Sequence, residues 1–358
     1  MTTDAPAVDE AKVGEFLGKA LTDMAGAMTV LQCAIGDRLG LFKDLAAHGP
    51  ATSDELAQRA GLNERYAREW LGAMASAGYF SYDPETQRYT LPLEHAPVLA
   101  QEAGPMFFGG FYEQITGMSG VIEPLLDAFR NGGGVPQSAY GDMHWSGLER
   151  GTASWFENLL VPVWIPAVPE VQAALERGVD VADVGCGAGR ALIKLAQAYP
   201  NSRYIGYDNF PTQVERAKAA AAAAGVGEKI RFSVVDGAQG LGDTYDVVTT
   251  FDVIHDSADP AGLLTAIHDA LRPGGYYLCL DINCSDKPED NVGPLATMMF
   301  GASVFYCMTT SLAQGGAGLG TLGLHEKKMR ELAAAAGFSS VDRAPIDNPF
   351  NVLYVLRP

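Results

Sequence analysis

Residues 180–190 read DVADVGCGAGR. An apolar run ending at Val184 delivers the chain into Gly185, Gly187 and Gly189, and residues 190–199 then take up helical spacing. Glycines so placed let the chain turn sharply and let a ligand approach the backbone. Outward from this loop the same alternation repeats. Strand-like runs occur at 181–184, 203–207, 230–235, 245–250, 276–280, 339–344 and 351–356, with helical patterns at 212–225, 259–275 and 325–337 between them. Strands alternating with helices specify an α/β fold, a doubly wound and mostly parallel sheet covered on both faces. Only PIDNPF, residues 345–350, joins the last two runs. That is too short for a crossover helix, so the seventh strand is expected to lie antiparallel to the sixth.

In such a sheet the ligand sits beyond the carboxyl ends of the strands, and four of those ends are chemically unusual. The first is the glycine loop, preceded by Asp183. The second ends in Asp208 and Asn209, with Asp208 placed to accept hydrogen bonds from two ribose hydroxyls. The third carries Asp236, able to accept from an exocyclic adenine amine, and Gly237, whose surroundings offer backbone N–H groups. The fourth, TTFDVIHDSADP at 249–260, holds Phe251, His255 and Asp256. A dinucleotide fingerprint would read GxGxxG. This loop is GxGxG after an acid, the methyltransferase form, and the reversed final strand pair fits methyltransferases as well.

Toward the N-terminus, apolar positions from Phe16 to Ile35 recur near helical steps. Thr52 and Glu55 form a capping box for a helix that should stop at Gly61. Asn63 opens another, whose stripe Tyr66, Ala67, Trp70, Leu71, Met74 and Ala77 ends at Gly78. With two short β-type runs around Asp83–Thr86, this is a winged helix-turn-helix. Such a motif can enter a DNA groove, but residues 51–95 hold four Arg and no Lys against seven acids. That lacks a basic footprint, and dimerisation is the expected role. The domains are read as 1–95, a helical winged-helix unit; 96–170, an aromatic helical connector and substrate cap with an irregular, glycine-rich pattern; and 171–358, the cofactor-binding domain.

The chain has 358 residues and a formal charge of −18. That field disfavours nucleic acid and anionic membranes. Five cysteines without a CxxC pair suggest neither disulfides nor a thiolate zinc site. The acidic start MTTDAPAVDE lacks the form of a secretory signal, and a cytoplasmic chain is expected. Residues 291–325 carry no Asp, Glu, Lys or Arg, but Pro294, Gly301 and several hydroxyl residues favour a buried cap over a membrane span. Asp281 and Asn283 are not adjacent and lack a clear third carboxylate, so no metal is expected.

Residues 51–358 resemble the class I S-adenosylmethionine-dependent methyltransferases with an N-terminal winged helix, shared with plant O-methyltransferases. A bacterial group in mycobacteria and marine bacteria is closer still. The motifs are RYAREWL, WIPAVPEV, DVGCGAGR, SRYIGYD, FDVIHDSADP, LRPGGYYL, SVFYCMTTSL and AAAAGFSSV. The resemblance implies S-adenosylmethionine as cofactor, with Asp183, Gly185, Gly187 and Gly189 at its methionyl part, Asp208 and Asn209 at the ribose, Asp236 and Gly237 at the adenine, and Phe251 nearby. It implies a homodimer through the N-terminal domain and a small-molecule acceptor.

His255 falls where plant O-methyltransferases keep a base in a His-Asp pair, completed here by Asp256; a neutral imidazole can take a hydroxyl proton. The same His255 could instead cap the strand or position the cofactor. Ser257 replaces the usual tryptophan, so substrate identity does not carry over. Acceptor-site candidates are Tyr112, Tyr140, His144, Trp145, Trp155 and Tyr306, since aromatic faces attract a sulfonium. The marine branch implies S-methylation of a methionine-derived hydroxy-thioether acid, 4-methylthio-2-hydroxybutyrate, on the way to dimethylsulfoniopropionate; such a reaction needs no base. An S-adenosylmethionine-sensing winged-helix regulator is the non-enzymatic alternative.

Overall fold

The structure, a computed structural model, describes residues 8–102 and 104–358; the acidic start read above lies largely outside them. The chain forms two compact units, one running to Gly117 and including Met143–Gly151, the other Met118–Asp142 and Thr152–Pro358. Residues 96–170 are divided between them.

The first unit opens with α1, Glu10–Arg38, capped by the Asp9 side chain. Then follow α2, Leu41–His48, α3, Ser53–Ala60, and α4, Glu64–Ser76. The capping box of Thr52 and Glu55 is formed, and Gly61 stops α3 in the left-handed conformation. Strands β1, Ser81–Asp83, and β2, Arg88–Thr90, pair as the antiparallel wing. Its core gathers Leu41, Phe42, Leu56, Trp70, Leu71, Met74 and Phe80. Tyr66 and Ala77, read as ends of the buried stripe of α4, are exposed. All four arginines of the motif are paired, Arg59 with Asp44, Arg65 with Glu69, Arg68 with Glu64 and Arg88 with Glu55.

The connector, read as helical but with no periodicity to place its helices, is helical at Gly109–Met118 and Asp142–Trp155. Glycine lowers helix propensity, which hides these helices from a periodicity reading. Here it lets two backbones touch. A Cβ on Gly147 would stand 2.3 Å from the Gln114 nitrogen, and one on Gly110 would stand 2.2 Å from the Gly151 nitrogen. Gly147→Val should therefore destabilise the chain by about 3 kcal/mol through overpacking, measured by urea unfolding, whereas Gly120→Val, with open space around it, should cost far less.

The second unit contains a seven-stranded sheet: β3, Asp180–Val184; β4, Arg203–Asp208; β5, Ile230–Val234; β6, Tyr245–Phe251; β7, Leu271–Ile282; β8, Ser340–Arg343; β9, Asn351–Arg357. The order is β5-β4-β3-β6-β7-β9-β8. β9 runs antiparallel to both β7 and β8, as the short 345–350 link requires, and the other neighbours are parallel. Reversal of strand order between β3 and β6 opens the crevice where ligands bind in such sheets. Apolar layers cover both faces, one including Trp164, Leu192 and Leu280, the other Ile254, Leu264 and Tyr277.

Two helices of this unit contain wide π-turns, at Phe156–Trp164 and Ser303–Cys307. Pro162 cannot donate a backbone bond, which accounts for the first. The uncharged segment forms a 21-residue helix, Gly293–Ala313, long and apolar enough by length and composition to cross a membrane. Its hydroxyls are used inside the unit: Thr309 accepts from the Val135 nitrogen, and Ser311 donates to the Ser257 carbonyl.

Candidate active site

Val184 ends β3 and the loop Gly185–Gly189 turns back over the sheet, its amides at 185 and 186 both bonded to the Tyr207 carbonyl. Gly185, Gly187 and Gly189 all have positive φ. At Gly185 a Cβ would also lie 2.6 Å from Val253, so both backbone and space demand glycine there. Asp208, at the end of β4, accepts from the Gly187 nitrogen at 2.9 Å and from the Phe210 nitrogen at 2.9 Å. Burial raises its pKa and these two N–H groups oppose the rise. The loop and this acid are thus one hydrogen-bonded unit.

Asp183 is buried beneath the loop, bonded at 2.7 Å to the Thr249 hydroxyl. Burial, helped by the neighbouring Asp208 charge, pushes its pKa up to about 7 against that hydrogen bond. Asn209 is exposed. Asp236 is exposed and caps the short turn Gly237–Gln239 through the Ala238 nitrogen, while Gly237 is buried against Val184 and Leu263. Phe251 stacks on Trp164 and meets Phe156 edge-on, so its ring belongs to the core layer behind the crevice.

His255 is buried in the turn after β6. Its Nδ1 lies 2.6 Å from Asp281 Oδ1, and its Nε2 lies 3.1 Å from Asp256 Oδ1. Burial alone would lower the imidazole pKa; the Asp281 and Asp256 carboxylates outweigh it and hold the pKa well above the usual value. Asp252, one residue beyond β6 and at φ 55°, accepts from the Asn351 side chain at 2.7 Å. Cys307 approaches the same centre: its sulfur, the Asp256 carboxylate and a His255 ring nitrogen lie within 4.8 Å of one another.

The sequence reading had paired His255 with Asp256 alone. Asp281 and Asp252 were missed as its neighbours, although both stand at strand ends, and Cys307 had no signal at all. Asp259 caps the next helix through the Gly262 nitrogen with Pro260 at its first position.

The six acceptor-site aromatics divide between the units. In the second, Tyr140 and Tyr306 meet edge-on at 5.3 Å, Tyr140 donates to the Phe305 carbonyl at 2.6 Å, and Trp155 lies against Phe350. In the first, Tyr112 contacts the Tyr79 hydroxyl at 3.3 Å, and the buried His144 and Trp145 meet edge-on.

Residues 26–101 match the Rv2258c-like winged HTH domain and residues 175–335 match a methyltransferase domain family. The chain is 32% identical over 110 residues to the ubiquinone biosynthesis O-methyltransferase of Cereibacter sphaeroides, 31% of this chain and 44% of that protein. It therefore spans less than half the length of the curated relatives it matches. Human N-acetylserotonin methyltransferase, solved in complex with SAM, superposes with a TM-score of 0.68 at 19% identity over 99% of both chains. An O-methyltransferase family protein from Burkholderia thailandensis superposes with a TM-score of 0.66 at 16% identity, covering 98% of this chain and 99% of that one. At such identity these structures establish the fold. An Rv2258c-like winged helix-turn-helix domain at 26–101 is thus followed in this chain by a methyltransferase domain at 175–335, built on the seven-stranded sheet.

Proposed function

We propose that this protein binds S-adenosylmethionine at the Gly185–Gly189 loop and methylates a hydroxyl of a small-molecule acceptor held near His255. The observation that carries the reading is the bonded unit of glycine loop and Asp208, set beside the buried Asp281–His255 pair and the half-buried Asp256. Bound S-adenosylmethionine supplies an electrophilic methyl group. Two acids at the loop, Asp183 and Asp208, suit its cationic methionyl end and its ribose, and a Cβ at Gly187 would meet open space, which allows close approach of a ligand. His255, anchored at Nδ1 by Asp281 and held protonated by the two carboxylates, passes its Nε2 proton to Asp256 before Nε2 takes that of the acceptor hydroxyl. The chain's remaining contribution is alignment and exclusion of water.

S-methylation of 4-methylthio-2-hydroxybutyrate is less well supported. A carboxylate acceptor calls for a cation, and the second-unit segments 131–142, 152–168 and 291–324 contain no Lys or Arg. Arg150 of the first unit is already held by Asp37, Glu102 and Glu113. The regulator reading is weakened by the paired arginines of the winged helix. Five free cysteines, four of them buried, suit a cytoplasmic setting.

The test combines calorimetry with turnover. Wild type and His255→Gln should bind S-adenosylhomocysteine alike, while kcat/KM for a phenolic acceptor found by a labelled-cofactor screen should fall about 10²–10⁴-fold in the variant. Retained turnover in His255→Gln would falsify the proton-handling role.

We also propose a homodimer formed through α1. Val13, Leu17, Leu21, Met24, Met28 and Ile35 follow helical steps along one side of α1, each about half exposed or more, with Phe16 beside them at 70%. A second copy would supply the same apolar face.

A further inference from the structure

We infer that Asp252 carries a proton in the resting protein and offers it to the free oxygen of Asp281, so that Asp252 and its partner Asn351 are positioning residues for His255. Three strand ends meet here. Asp252 follows β6, Asp281 lies at the end of β7, and Asn351 opens β9, paired with Ile282. An Asp252 oxygen, an Asp281 oxygen and a His255 ring nitrogen lie within 4.8 Å of one another. Over such a distance a carboxyl O–H reaches an acceptor through one water, or directly after a turn of the side chain.

The hydrogen bonds call for a donor at this place. Asp281 Oδ1 meets the His255 ring at 2.6 Å and the Ile282 nitrogen at 2.8 Å, whereas its Oδ2 is shielded from water and has no hydrogen-bond partner. Asn351 donates to Asp252 at 2.7 Å, yet its own Oδ1 is shielded and equally unpartnered. Buried acceptors without a donor are costly. An ionised Asp252 would only add acceptors; a carboxylic acid supplies the donor.

Charge makes the same demand. Asp252, Asp256 and Asp281 surround one imidazole, and among the described residues no Lys or Arg forms an ion pair with any of them. Uncompensated carboxylates of this kind are unfavourable away from water. Burial, with the charges of Asp281 and Asp256, holds the Asp252 carboxyl well above the usual range against the pull of the His255 cation and the Asn351 amide. The other titratable groups facing the cluster, Tyr277, Cys279, Cys284 and Cys307, are held protonated by burial and bring no charge. The backbone fixes Asp252 in place. It stands at φ 55°, one of two residues other than glycine with positive φ among those described, and its nitrogen donates to the Leu280 carbonyl at 2.8 Å. Such a conformation persists only where the surroundings hold it.

The consequence for the base rests on the methyl-transfer reading. A proton offered to Asp281 weakens the hold of that carboxylate on the imidazolium. The Nε2 proton then passes more readily to Asp256, which frees Nε2 for the acceptor.

The test follows the pH at which the His255 ring loses its proton, by nuclear magnetic resonance of the full-length protein labelled with 15N-histidine and saturated with S-adenosylhomocysteine. His255→Gln identifies the resonance. Two variants suit the left-handed backbone: Asp252→Asn, which keeps a donor without a charge, and Asp252→Gly, which removes it. Binding of S-adenosylhomocysteine by each shows that it folds. His255 should titrate as in wild type in Asp252→Asn and about one pH unit higher in Asp252→Gly, roughly a tenfold gain in proton affinity. An ionised Asp252 predicts the opposite sign, because both variants would remove a negative charge and titrate lower. That result, or an unshifted His255 in Asp252→Gly, overturns the inference. The ring titration needs no turnover, so it decides where the Asp252 proton lies even if methyl transfer proves independent of His255.

Discussion

Leu17→Asp combined with Leu21→Asp is expected to convert the protein from dimer to monomer. Both side chains are about two-thirds exposed on α1, so neither substitution disturbs the core of the first unit. In a symmetric dimer each change counts twice, because the same face meets itself. Burying an unpaired polar group costs roughly 2–7 kcal/mol, and four aspartates facing one another exceed the stability of an ordinary interface. The exposed apolar side chains of α1 are on the scale of one partner's share of a standard interface, about 800 Å². Light scattering after size exclusion should give twice the chain mass for wild type and the single-chain mass for the variant, with unchanged far-ultraviolet dichroism. A monomeric wild type, or a variant that stays dimeric, refutes the interface.

Asp183→Asn should stabilise the protein in alkaline solution and weaken cofactor binding at once. The Asp183 carboxyl is raised to about 7 by burial, so the folded state holds its proton where the unfolded chain, near 3.9, has lost it. The contribution of Asp183 is therefore fully favourable below about pH 4 and is lost as pH rises to 7, on the order of 4 kcal/mol in all. Asparagine carries no such penalty and keeps an oxygen for the Thr249 hydroxyl. Its advantage should be small at pH 4.5 and full at pH 8, where Tm rises by about 5–8 °C. Removing the charge also removes a partner for the cationic methionyl group, so affinity for S-adenosylhomocysteine should drop by more than about tenfold. A Tm difference that does not change with pH would show that Asp183 is not held protonated by its burial.

The parts of the site that were legible in sequence are those built from neighbours along the chain. Gly185–Gly189 follow directly on an apolar strand, and Asp208 ends the next one; strand, loop and acid are each set by local spacing. The same holds for the capping box at Thr52 and Glu55, and for Asp259 before Pro260. Within the helical connector, where the helices around Gly110 and Gly147 begin and end was not legible, because the close packing that glycine permits cancels its poor propensity only after both helices are in place.

The alternation of strand and helix, the reversed last strand, the glycine loop with its acids, and an apolar α1 follow from the order of residues, since each depends on periodicity and short-range chemistry. The surroundings of His255 arise only on folding. Asp281 lies 26 residues further along the chain and reaches His255 because β6 and β7 are neighbours in the sheet. Cys307 reaches it from a π-turn in the uncharged helix, and no spacing rule links that turn to the end of β6. Contacts of this kind depend on strand order and on how a helix is laid over the sheet, which are set by the burial of whole faces rather than by any local run of residues.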